Sequence, residues 1–117
     1  MRLRDVFDSY KALPRASSYY CVSRCPDRSL VMVFKHNELT REGDALVHRS
    51  NVSEWGGLAT HPTSKIWIDE LNAGVKVARL GIRHRAGKFS AHPEMVGSVT
   101  RWDGKDLEVV FRPVASA

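Results

Sequence analysis

Met95-Val-Gly-Ser-Val-Thr-Arg-Trp102, Asp103-Gly104 and Lys105-Asp-Leu-Glu-Val-Val-Phe-Arg112 form the stretch that decides the fold class. Two runs rich in β-branched and aromatic residues flank a dipeptide that supplies the positive φ angles of a two-residue type I′ loop. In that register Val96 faces Phe111 and Arg101 faces Asp106, an apolar pair and an opposite-charge pair, both favourable across strands. Leu107, Val109 and Phe111 alternate onto one side, which predicts a core-facing surface. Pro113 closes the second strand because it cannot donate to a ladder.

Upstream, the unbroken apolar run within Ser29 to Lys35 predicts a strand buried on both faces. Leu3, Val6, Phe7, Tyr10 and Leu13 recur at spacings of three and four residues, a helical stripe that Pro14 stops. Ser17 to Ser23 reads as a strand, and Cys25-Pro-Asp-Arg28 as a turn. Leu39 to Gly43 reads as a turn or short helix, and Asp44 to His48 as a short strand. Residues 65–85 carry two patterns. A helix would align Trp67, Leu71, Val75, Ala78 and Ile82 but would place Gly74 and Gly81 inside it, at roughly 1 kcal/mol each. A hairpin of Lys65 to Asp69 and Val75 to His84, reversed over Glu70 to Gly74, avoids that cost and is the reading adopted. The resulting class is α+β: an N-terminal helix packed on a mainly antiparallel sheet of about five to seven strands, half-barrel-like in outline.

With 117 residues, 43% hydrophobic and 26% charged, the composition is that of an ordinary globular chain, read as one folding unit over 1–117. Its longest apolar run, Leu30 to Phe34, is far below the roughly 20 residues needed to span a bilayer. The start Met-Arg-Leu-Arg-Asp has no signal-peptide core behind it, so a cytoplasmic address without membrane contact is expected. Cys21 and Cys25 are too few for a disulfide framework, and the five histidines form no H-x3-5-H pair. No metal and no cofactor are therefore expected.

The net charge is +5, and its placement matters more than its size. Between Leu71 and Pro93 there is no acid, whereas Lys76, Arg79, Arg83, Arg85 and Lys88 all lie inside. The remainder of the chain is neutral. Such a window can neutralise phosphates or an acidic surface, although a solvated face would look the same. Arg49 to Ser64 lacks periodicity and holds Trp55 beside Gly56-Gly57, the composition of a functional loop or of a loop pinned by its aromatic.

Three functions from different classes follow. The first is a basic binding protein whose anionic partner is nucleic acid or an acidic protein surface, using Lys76, Arg79, Arg83, Arg85, Lys88, His92 and Trp55. The second is a metal-independent hydrolase or nuclease, in which His84 or His92 acts as acid or base beside Arg83 and Arg85, with Glu94 near. The third is a small-molecule cavity lined by Trp55, Trp67, Tyr19 and Phe111. Nucleophile elbows, Walker loops and dinucleotide turns are all missing from the sequence, so the binding protein asks least of the residues. Unpaired sheet edges would also suit a homodimer.

Overall fold

The computed structural model describes residues 2–10, 22–24, 29–53 and 68–114. The expected turn at Cys25 to Arg28, and Tyr19, Tyr20, Trp55 and Trp67, lie outside the described residues. Helix α1 (Leu3–Ser9) precedes strands β1 (Val22–Arg24), β2 (Leu30–Lys35), β3 (Thr40–Glu42) and β4 (Ala45–Asn51). Strands β5 (Val77–Arg83), β6 (Phe89–Ala91), β7 (Met95–Trp102) and β8 (Asp106–Pro113) follow. They hydrogen-bond in the order β1-β2-β5-β7-β8-β4-β3, with β6 pairing β5 off that path. The sheet curls into a half-barrel, as the sequence predicts. It is mixed: β2 and β5 run parallel, and the other pairs described are antiparallel. Among the described residues no helix is long and apolar enough to cross a membrane.

β2 explains the two-layer build. Leu30, Met32 and Phe34 point into the larger core with Ala78, Leu80 and Ile82 of β5 and Leu107, Val109 and Phe111 of β8. Val31 and Val33 point the other way, against Val6 and Phe7 of α1. Seven residues are too few for a helix to be stable alone, so α1 persists through this contact. Its start is tied by the Arg2 backbone N–H, which donates to the Asp5 carboxylate at 2.8 Å. At its end the Tyr10 hydroxyl donates to the Leu80 carbonyl at 2.6 Å.

The helix can approach because β5 carries Gly81 beneath it. A Cβ there would stand 2.8 Å from Val6 Cγ1 and 3.0 Å from Val33 Cγ2. Both neighbours are β-branched and stiff at χ1, so neither can turn aside. Gly81→Ala should cost about 1–2 kcal/mol. Hydrogen exchange should show the loss first as faster exchange of the α1 amides, while β8 changes least.

Three local expectations change. Asp103 and Gly104 do not make a two-residue loop: only Gly104 of the two has a positive φ, at +90°. The Asp103 carboxylate instead accepts the backbone N–H of Lys105 at 2.9 Å and of Asp106 at 2.7 Å, which widens the turn. Trp102 therefore opposes Leu107, and an irregularity between Val99 and Arg101 brings Gly97, not Val96, opposite Phe111. The inward face of Leu107, Val109 and Phe111 holds, all three being buried. Arg101 still reaches Asp106, at 3.1 Å, by leaning along the strand.

Residues 68–72 are helical rather than the end of a strand. The reversal after them is a helix terminus: Gly74 sits at φ +96° and the Val75 N–H donates to the Glu70 carbonyl at 3.2 Å. Leu71 is buried in the larger core, which is what selects the helix here. The second half of the expected hairpin is present as β5. Finally, Thr40–Glu42 is strand β3, preceded by a 3-10 turn over His36–Glu38. β3 is an edge, three residues long with Arg41 and Glu42, a composition that discourages edge-to-edge pairing.

Candidate functional site

Parallel pairing sets Lys35 and Arg83 side by side at the C-terminal ends of β2 and β5. Both strands then leave the sheet through short turns, His36–Glu38 and Arg85–Gly87. The second turn is closed by the His84 N–H donating to the Lys88 carbonyl at 2.7 Å. Within it Ala86 takes φ +63°, a left-handed conformation that costs a non-glycine residue roughly 1–2 kcal/mol. Between the two turns lies a hollow of about 260 Å³ lined by Lys35, His36, Asn37, Arg83, His84 and Arg85, with Ala86 and Gly87.

Among the described residues no carboxylate lines this hollow. Among the described residues Lys35, Arg83, Arg85 and Lys88 form no ion pair. The nearest acid in sequence, Glu38, spends its carboxylate on the Lys35 backbone N–H at 2.7 Å. Like charges directly opposed across strands repel, so Lys35 beside Arg83 is a cost that a bound anion would offset.

The far side of the sheet is built differently. A second hollow, of about 270 Å³, is lined by Arg49, Asn51, Arg101, Asp106 and Glu108 among others. There each arginine is matched: Arg49 with Glu42 and Glu108, and Arg101 with Asp103 and Asp106. The Thr100 hydroxyl, then the Arg49 guanidinium, hold the Glu108 carboxyl below the usual carboxylate range, and Arg49 does the same to Glu42. Among the described residues the two hollows thus differ in charge: the arginines of this one are matched by carboxylates, and the cations at the β2–β5 end are not.

Of the residues singled out in the sequence, Arg83 and Arg85 meet in the hollow and Lys88 follows on the same turn. Lys76 does not join them: seven residues of extended chain put it about 23 Å from Arg83 at 3.3 Å per residue. Arg79 lies mid-strand, its Nε donating to the buried Ser29 hydroxyl at 3.3 Å. The acid-free segment is therefore one line of charge in sequence but not one patch in space. Lys35 and His36 went unnoticed because nothing local to them reports a parallel neighbour forty-eight residues on.

His92 stands in a different constellation, in which Glu94 and His84 join a serine that the sequence pattern does not single out. Ile82 opposes Ser90 in the β5–β6 pair, so Ser90, and by alternation His84 and His92, lie on the larger-core side of the strands. His84 Nε2 is 2.7 Å from Ser90 Oγ, Ser90 Oγ is 2.8 Å from His92 Nε2, and His92 Nδ1 is 2.9 Å from Glu94 Oε1. The Glu94 carboxyl is held below its ordinary range, first by its own backbone N–H and then by His92. Arg83 alternates to the α1 side, so the histidines and arginines flank the strand end instead of sharing one face. Phe111 is fully buried in the core and lines neither hollow. Among the described residues no group of histidine, cysteine and carboxylate side chains could hold a metal ion.

The chain matches no protein-family model, no curated protein and no solved structure.

Proposed function

We propose that this protein binds nucleic acid through its phosphate backbone, at the hollow where β2 and β5 end. The observation that carries the reading is the convergence of Lys35, Arg83 and Arg85 on one concavity where, among the described residues, they meet no carboxylate and no ion-pair partner. Two guanidinium forks match phosphate oxygens bidentately, and an ammonium adds a point charge. At about 260 Å³ the hollow is smaller than the roughly 300–1,000 Å³ typical of a site that encloses a drug-sized ligand. It suits a phosphate or two of a longer polymer. An acidic protein surface would call for a broader cationic face, and the distance to Lys76 speaks against one.

Fluorescence anisotropy with a labelled mixed-sequence oligonucleotide tests this. Affinity should fall steeply between about 50 and 200 mM salt, with a log–log slope near −2 for three cations on a single strand. No binding at the lower salt, or binding indifferent to salt, removes the proposal.

A further inference from the structure

We infer that Ser90 is a nucleophile that hydrolyses carboxylic esters, activated by His92, which Glu94 orients. The geometry is that of a hydroxyl, a base and a carboxylate in series: 2.8 Å from Ser90 Oγ to His92 Nε2 and 2.9 Å from His92 Nδ1 to Glu94 Oε1. A base must be neutral, and for a neutral His92 proton accounting fixes every direction in the chain. An ionised carboxylate only accepts, so His92 Nδ1 carries the hydrogen and its Nε2 is the bare acceptor. The Ser90 hydroxyl is the donor placed to fill it. With that hydrogen committed, His84 Nε2 must donate to Ser90 Oγ across 2.7 Å. The serine proton points at a base, which is what attack by oxygen requires.

These side chains are not needed to hold the backbone where they sit. The His92 N–H donates to the Tyr10 hydroxyl at 2.8 Å and to the Leu80 carbonyl at 3.2 Å, while its carbonyl accepts the Met95 N–H at 3.0 Å. β6 is independently laddered to β5. The main chain thus presents a fixed platform, and the polar series adds only the orientation of a hydroxyl. His84 is exposed and Ser90 and His92 are half-buried, so an ester can reach Oγ.

In the reaction, Ser90 Oγ bonds to the carbonyl carbon as its proton passes to His92 Nε2. Negative charge gathers on the carbonyl oxygen, within reach of the His84 N–H once Oγ no longer accepts it. The carbon–oxygen bond to the leaving alcohol breaks, and the alkoxide takes the proton from His92. Water, deprotonated by His92, then adds to the acyl-serine; the acid departs and Ser90 recovers its proton. His84 also borders the cationic hollow, so if that hollow binds anions as proposed, the preferred ester carries an anionic arm on that side.

A fluorophosphonate probe, whose phosphorus Oγ attacks with loss of fluoride, tests the nucleophile on the whole chain by peptide mass mapping. The expected adduct sits on Ser90, is absent in Ser90→Ala, and forms about 10²–10⁴-fold more slowly in His92→Ala and His92→Gln, with circular dichroism unchanged in at least one of the two. Glu94→Gln should slow labelling at unchanged circular dichroism, because an amide can turn its NH2 towards His92 Nδ1 and so no longer fixes the tautomer that leaves Nε2 bare. No adduct on Ser90, or labelling at the wild-type rate in both His92 variants, overturns the inference. The anionic arm is read separately. Wild type should prefer 4-nitrophenyl hemisuccinate to 4-nitrophenyl acetate, and Arg83→Ala with Arg85→Ala should erase that preference. A preference that survives removes the hollow from the substrate site and leaves the nucleophile standing.

Discussion

Gly97→Ala should destabilise the protein by about 3 kcal/mol, seen as a lower urea midpoint at unchanged slope. Gly97 is the register partner of Phe111 across β7 and β8. A Cβ on Gly97 would stand 2.5 Å from Phe111 Cε1, 2.7 Å from Cδ1 and 3.1 Å from Cζ. The ring has nowhere to go. Phe111 is fully buried and meets Phe34 edge-on, with centroids 6.0 Å apart, and Phe34 is itself stacked on His48 at 4.2 Å. Nor can the strand yield, because β7 is paired by β8 on one side and by β5 on the other, where Ala78 opposes Gly97. The methyl group must therefore displace the packed ring or the sheet itself. Phe111→Leu in the Gly97→Ala background should recover part of the loss, giving a coupling energy that two independent substitutions would not show. A neutral Gly97→Ala would mean that the ring does not lie over Gly97.

The same pair shows what the sequence could and could not say. Period-two alternation was enough to place Leu107, Val109 and Phe111 inward, since the strand face depends only on neighbours in the chain. Which residue meets Phe111 depends on the turn, and there the Asp103 carboxylate capping two N–H groups outweighs the Asp-Gly preference for a two-residue loop. β2 was legible because burial on both faces leaves an unbroken apolar run. Its partner was not. Parallel pairing with β5 joins segments far apart in sequence, and the hollow exists only because of that pairing. Residues 65–85 divide: the strand expected over Val75 to His84 is present as Val77–Arg83, but Leu71 and Gly74 select a helix end whose burial a single-sequence pattern does not weigh. Ser90 was missed for a related reason. A serine between a phenylalanine and an alanine is unremarked until the β5–β6 register brings His84 beside it.

Arg83→Glu combined with Arg85→Glu should abolish oligonucleotide binding, lowering affinity at least about 100-fold near 50 mM salt and flattening the salt slope towards zero. Two of the three converging cations are lost, and the two carboxylates that replace them repel phosphate. Lys35 alone cannot compensate, and Lys76 is too distant to contribute to the same site. Lys76→Glu should therefore weaken binding far less than the double reversal. Stability should move the other way. Neither arginine has an ion pair to lose among the described residues, whereas a glutamate at position 83 would face Lys35 across the parallel pair. Replacing a like-charge neighbour by an opposite one at an exposed strand end relieves repulsion. The doubly reversed protein should thus melt at or slightly above the wild-type temperature while binding nothing. That divergence separates a binding surface from a structural one: a scaffold residue would lose stability along with function. Retained affinity in the double variant would move the nucleic-acid contact away from the β2–β5 end.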